Sequence, residues 1–114
     1  MTWEEAVAFA LSLPDTELGT SYGSPAVKVA SNGRTFLFPG RERDTCFGIA
    51  MDLDRIEMLK ETEPDTYWQT PHYEGWSGVL VRYDATDEER VRDTIRSSRD
   101  WSASLPKTRP RKRK

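Results

Sequence analysis

Apolar residues recur at helical spacing at the start of the chain, in Trp3, Ala6, Val7, Ala10 and Leu11. Thr2-Trp-Glu-Glu5 ahead of them forms a capping box, and Pro14 stops the run. Residues 13–25 are rich in Gly, Pro, Ser, Thr and Asp and predict a loop. Beyond it the period changes to two. Val27 and Val29 alternate with Lys28 and Ala30, and Asn32-Gly33 predicts a type I′ hairpin turn. Arg34–Phe38 returns, with Phe36 and Phe38 expected on one face. Pro39-Gly40 and Arg41-Glu-Arg-Asp44 make the next connection, and Thr45–Met51 groups Phe47, Ile49 and Met51. Asp52 or Asp54 caps a short helix carrying Leu53, Ile56 and Leu59, which Glu63-Pro64-Asp65 ends. Tyr67–Tyr73 is β-prone, Glu74-Gly75 is a turn, and Val79, Val81 and Tyr83 alternate with Leu80 and Arg82. Thr86-Asp-Glu-Glu89 reads as a second capping box. It opens a helix with Val91, Ile95, Ser98, Trp101 and Ser102 in one stripe, closed by Pro106.

The predicted order is α-β-β-β-α-β-β-α, an α+β two-layer sandwich. A five-stranded antiparallel sheet carries its helices on one face. Alternation assigns Val27, Val29, Phe36, Phe38, Phe47, Ile49, Met51, Val79 and Val81 to the helix side. Lys28, Leu37, Gly48, Leu80 and Arg82 fall on the other side, a semi-apolar face with two cations. That composition suits a contact surface as well as an ordinary solvated face.

At 114 residues the chain holds one core. No apolar run reaches the roughly 20 residues of a membrane span, and no signal-peptide pattern is visible. A single cysteine, Cys46, points to a reducing, cytoplasmic setting. The net charge of −2 conceals a division. Residues 107–114 hold six basic residues and no acid, so residues 1–106 carry eleven basic against nineteen acidic residues, a net charge of −8. The division predicts a domain over 1–106 and a basic, flexible tail over 107–114. The tail can neutralise phosphate through Lys107, Arg109, Arg111, Lys112, Arg113 and Lys114.

Candidate chemistry is sparse. His72 is the one group titrating naturally near neutrality, with no nucleophile motif beside it. A hydrogen-bonded packing role or a ligand contact fits it better than catalysis. One His and one Cys cannot make a zinc site, no calcium or phosphate loop spacing is present, and no cofactor is expected. Cys46 in a strand pattern reads as an inert buried thiol. Trp68, Tyr73 and Trp76 crowd one bend, as a satellite core or as a platform on which bases could stack.

Three motifs carry a family likeness. Ser21-Tyr-Gly-Ser-Pro-Ala-Val-Lys28, Thr70-Pro-His-Tyr73 before Val79-Leu-Val-Arg82, and the opening Met1-Thr-Trp-Glu-Glu with Leu13-Pro14 resemble the MmcQ/YjbR family over about residues 1–105. The resemblance implies a two-layer α-β₃-α-β₂-α fold and a DNA-binding role, in a family whose activity is uncharacterised; the expected protein is small and non-enzymatic. Its motif positions here are Tyr22, Gly23, Pro25, Lys28, Thr70, Pro71, His72 and Tyr73. The chain departs from the pattern at Trp76-Ser-Gly78, where a bulkier strand entry is expected. The expected function is weak nucleic-acid binding, with Tyr22, Lys28, Arg34, Trp68, His72, Tyr73, Trp76 and Arg82 as contact residues. The alternative is a protein-partner or small-ligand module using the open sheet face and the aromatic hairpin. DNA, or an unknown protein, is the expected partner, with no membrane and a monomeric or weakly dimeric state.

Overall fold

A computed structural model describes residues 1–21, 23–40, 46–71 and 74–106, residue 21 by its backbone alone. Its elements are α1 (Trp3–Leu11), β1 (Thr16–Ser21), β2 (Ser24–Val29), β3 (Thr35–Pro39), β4 (Cys46–Ala50), α2 (Leu53–Thr62), β5 (Tyr67–Trp68), β6 (Gly78–Arg82) and α3 (Glu88–Ala103). All strand pairs are antiparallel, and the sheet runs β1-β2-β3-β4-β6-β5. The α+β class and the helix order are as the pattern predicts, but the sheet has six strands, not five. The added strand, β1, lies inside the segment expected to be loop. Its one apolar residue, Leu18, remains 58% exposed, so an edge strand with little to bury shows no alternation of apolar residues.

Capping explains where the helices begin. The Thr2 hydroxyl accepts from the Glu5 amide at 3.1 Å and the Glu5 carboxylate accepts from the Thr2 amide at 2.8 Å, the expected box. That backbone hydrogen bond also holds the Glu5 carboxyl below its ordinary pKa. Asp52 caps α2, accepting from the Arg55 amide at 2.8 Å. The second predicted box fails by one residue. The α3 cap is Asp87, which accepts from the Arg90 amide at 3.1 Å, and Thr86 lies outside the helix. Asp is at least as good a cap as Thr, and its charge favours the positive helix end.

One core joins the sheet to all three helices, taking in Ala6 and Ala10 of α1, Ile56 and Leu59 of α2, and Val91 and Ile95 of α3. Leu11, expected on the buried stripe of α1, is exposed. Polar groups fasten α3 to the sheet. The buried Ser98 hydroxyl donates to the Phe36 and Ala50 carbonyls. Because the Thr94 hydroxyl donates to the Arg90 carbonyl at 2.9 Å, the buried Tyr67 hydroxyl donates to Thr94 at 2.7 Å.

A register shift overturns part of the predicted facing. Val27 lies opposite Leu37 and Lys28 opposite Thr35, so Phe36 is an extra residue in β3. Such a bulge breaks the period-2 rule locally. Phe36 and Leu37 both enter the helix-side core, and Phe38 turns to the other face, opposite Gly48. The expected positions of Leu37 and Phe38 are exchanged, while Lys28, Gly48, Leu80 and Arg82 lie as expected. The Asn32-Gly33 turn is also not type I′. Gly33 has φ 76°, but Asn32 is not among the residues of positive φ. Its side chain is drawn to the end of α3 instead, donating to the Ser102 and Leu105 carbonyls at 2.8 and 3.2 Å.

Candidate interface on the sheet face away from the helices

Register places Phe38, Gly48, Leu80 and Trp68 in one row across β3, β4, β6 and β5. Side chains at these positions share a face because directly paired residues point the same way. Glycine makes the row flat. A Cβ at Gly48 would stand 2.1 Å from Phe38 Cε2, so the Phe38 ring lies on the bare backbone there. Gly78, two residues from Leu80, is the seat of Trp76: a Cβ at Gly78 would stand 2.5 Å from Trp76 Cζ3. The two seated rings meet with centroids 5.8 Å apart and planes inclined at 55°. Their contact adds about 0.5–1.5 kcal/mol to what burial supplies. Leu80 beneath is only 2% exposed, whereas Trp76 is 51% exposed. The departure at Trp76-Ser-Gly78 therefore has a purpose in this chain: the small residue admits the indole.

Arg82 is stacked over Trp68, its guanidinium carbon 4.3 Å from the ring centroid. The face thus shows a cation on one indole at the end of β6 and a half-exposed second indole at its start. Gln69 steadies the bend between them. Its amide donates to the Trp76 and Gly78 carbonyls at 3.1 and 2.8 Å, and its oxygen accepts from Lys60 at 2.9 Å. Cys46, opposite Arg82, is buried, with Gly40 packed against its sulfur.

The other proposed contact residues disperse. Lys28 lies three strands from Arg82, a lateral separation of about 14 Å at the usual strand spacing. Its ammonium pairs with Glu17 at 3.3 Å. Arg34 donates through Nε to the Pro106 carbonyl at 2.8 Å, so it secures the chain after α3. Tyr22, His72, Tyr73 and the tail cations lie outside the described residues. Sequence reasoning missed Phe38 as part of this surface. Gly48 in mid-strand was the available sign, since such a glycine often marks a close approach.

Among the described residues no group of three or more His, Cys, Asp or Glu is placed to hold a metal ion. Among them also, no helix is long and apolar enough to cross a membrane. Neither the curated proteins nor the solved structures include a match to this chain. A family model does match, that described as YjbR, over residues 11–101, from the end of α1 to near the end of α3, and the chain therefore belongs to the YjbR family.

Proposed function

We propose that this is a small, non-enzymatic, cytoplasmic protein that binds nucleic acid weakly, with the work divided between two parts of the chain. The tail neutralises phosphate, and the Trp68–Arg82 stack with Trp76 offers planar surfaces to unpaired bases. The observation that carries this reading is an arginine stacked on the Trp68 indole, with the half-exposed Trp76 farther along the same face, which no described helix covers. Base–aromatic stacking is worth about 1–3 kcal/mol per base and tolerates any sequence. The body carries a net −8, so long-range attraction falls to the six cations of residues 107–114.

The test is a salt titration of a fluorescent oligothymidine and of a duplex. It compares the full chain, a chain lacking 107–114, and the Trp76→Ala and Trp68→Ala variants. The full chain should give log K falling against log salt with a slope of about −2 to −5, since six neutralised phosphates set the upper limit on duplex DNA. Deleting the tail should flatten that slope, and the tryptophan variants should weaken oligothymidine binding at unchanged slope. No binding to either probe at low salt would sink the proposal.

One observation favours a protein partner instead. The described cations of the body other than Arg82 are tied to acceptors of the same chain, as in Arg90–Glu63 at 2.8 Å and Arg96–Asp93 at 2.6 Å. No groove of cations tracks a phosphate backbone among the described residues. If oligonucleotides fail, the same aromatic face becomes the contact surface of a protein-binding module.

A further inference from the structure

The two edges of the sheet are treated differently. β5 is two residues long, and so short an edge offers little to an incoming strand. β1 runs for six residues, Thr16–Ser21, without Pro or Lys. Its hydrogen-bonding directions follow from its neighbour. The Val29 amide donates to the Arg34 carbonyl and the Val29 carbonyl accepts from the Gly33 amide, both on the β3 side. The Ala30 amide turns the other way, to the Asp15 carbonyl at 2.8 Å. In an antiparallel ladder the directions alternate, so Lys28 and Ala26 bond toward β1 and are met by Glu17 and Gly19. Thr16, Leu18 and Thr20 therefore turn their amides and carbonyls outward. Leu18 adds a large apolar side chain that is 58% exposed.

We propose that β1 pairs antiparallel with β1 of a second copy of this chain, joining two six-stranded sheets into one. A two-fold axis through Leu18 sets Leu18 opposite Leu18 of the second copy and Thr16 opposite its Thr20. Both are favourable cross-strand pairs, and the outward backbone groups of all three residues are satisfied. The same register places Glu17 opposite the second copy's Gly19, so no like charges meet.

Charge then favours this occupant. A Cβ on Gly19 would come within 3.2 Å of Lys28 Cδ, so the Lys28 stem lies across the glycine toward the free edge. Its ammonium already pairs with Glu17 at 3.3 Å. The second copy's Glu17, arriving opposite Gly19, meets that ammonium from the far side. Two lysines and two glutamates then alternate around the axis. The contact is self-complementary and closes on itself, whereas pairing β1 with the short β5 of another copy would build an open chain. The axis stands perpendicular to the sheet, so both aromatic faces end on one side of the joined sheet.

Analytical ultracentrifugation of the full chain from about 1 µM to about 1 mM covers weak association of this kind. The wild type should show its 13.1 kDa mass doubling across the range. Leu18→Lys places like charges opposite each other, and Thr20→Pro removes an outward amide without touching the ladder to β2. Both should remain at monomer mass with unchanged circular dichroism, and Leu18→Lys alone decides the matter if Thr20→Pro fails to fold. Glu17→Lys should weaken the dimer, and Glu17→Lys with Lys28→Glu should restore it. Amide exchange at Leu18 and Thr20 should slow with concentration in the wild type and not in Leu18→Lys. A wild type monomeric at the highest concentration, or a dimer that persists in Leu18→Lys, would overturn the proposal.

Discussion

Gly48→Ala tests the seating of Phe38 on the sheet. The new methyl would lie 2.1 Å from Cε2, 2.6 Å from Cζ and 2.7 Å from Cδ2 of the ring. No small shift relieves three such contacts, so the ring must swing away. Phe38 is 9% exposed in the wild type. A buried phenylalanine hides on the order of 150–250 Å². Returning half of that to water at about 25 cal/mol per Å² costs about 2 kcal/mol. Replacing glycine by alanine within a strand recovers roughly 0.5–1 kcal/mol of backbone entropy. The net loss should be about 1–2 kcal/mol, measured by urea unfolding followed through tryptophan fluorescence and far-ultraviolet circular dichroism. A double-mutant cycle with Phe38→Ala makes the mechanism specific. With the ring absent, these three contacts are gone, so the double variant should be no less stable than Phe38→Ala alone. A Gly48→Ala loss below about 0.5 kcal/mol, or the same loss with and without Phe38, would refute the seating, because independent sites add to within about that margin.

The α3 cap gives a paired test: Asp87→Ala should cost about 1 kcal/mol and Thr86→Ala little, with equal losses in urea unfolding returning the cap to Thr86. Asn32→Ala removes bonds to the Ser102 and Leu105 carbonyls and should cost about 1–3 kcal/mol. Asn32→Asp should cost more at neutral pH, since a carboxylate cannot donate and faces the negative end of α3; thermal melts that rank the two the other way would contradict this. Burial raises the Tyr67 phenol above its ordinary value of 10.0, outweighing the Thr94 hydrogen bond. The unfolded chain then loses its proton first, so stability should fall as pH rises from about 10 toward the folded pKa. Tyr67→Phe should flatten that alkaline limb, and a limb unchanged by the substitution would count against the account.

Where a residue's role was local and periodic, the sequence was readable. Thr2 and Glu5 form their box, Asp52 caps α2, and Val79 and Val81 enter the core while Arg82 does not. Failures came where a tertiary contact overruled a local preference. Asn32-Gly33 has the composition of a type I′ turn, but Asn32 is claimed by the carbonyls of a helix some 70 residues later. Phe36 and Phe38 alternate on paper, yet one extra residue in β3 puts them on opposite faces. β1 was hidden because its ladder to β2 is a backbone matter, and Glu17, Gly19 and Thr20 carry no apolar pattern. Of the candidate residues, Trp68 and Arg82 stack on each other, Trp76 lies on Gly78 at the other end of β6, and Lys28 and Arg34 are engaged elsewhere.

The exchange of Leu37 and Phe38 and the candidate surface have one physical origin. A sheet face without helices must still cover Leu80 and Cys46, both buried. Helices would cover them with side chains from another layer. Here the sheet covers itself with the rings of its own strands and their flanks, Phe38 and Trp76. Bringing a ring this close to the backbone requires a position with no side chain, which is why Gly48 lies beneath Phe38 and Gly78 beneath Trp76. The bulge in β3 delivers Phe38 to that side, and the glycine at the entry of β6 lets Trp76 fold back. The same economy fixes what the surface can present. Phe38 is consumed by the covering, but Trp76 has one side on the sheet and the other in water, and Arg82 lies across Trp68. If the proposed binding takes place here, the partner meets aromatic rings already packed against the sheet, so less side-chain entropy is lost on binding. Gly48 and Gly78 make room for two of these rings, Phe38 and Trp76. Substitutions at those two glycines should alter binding through the orientation of Trp76, without removing any group the partner touches.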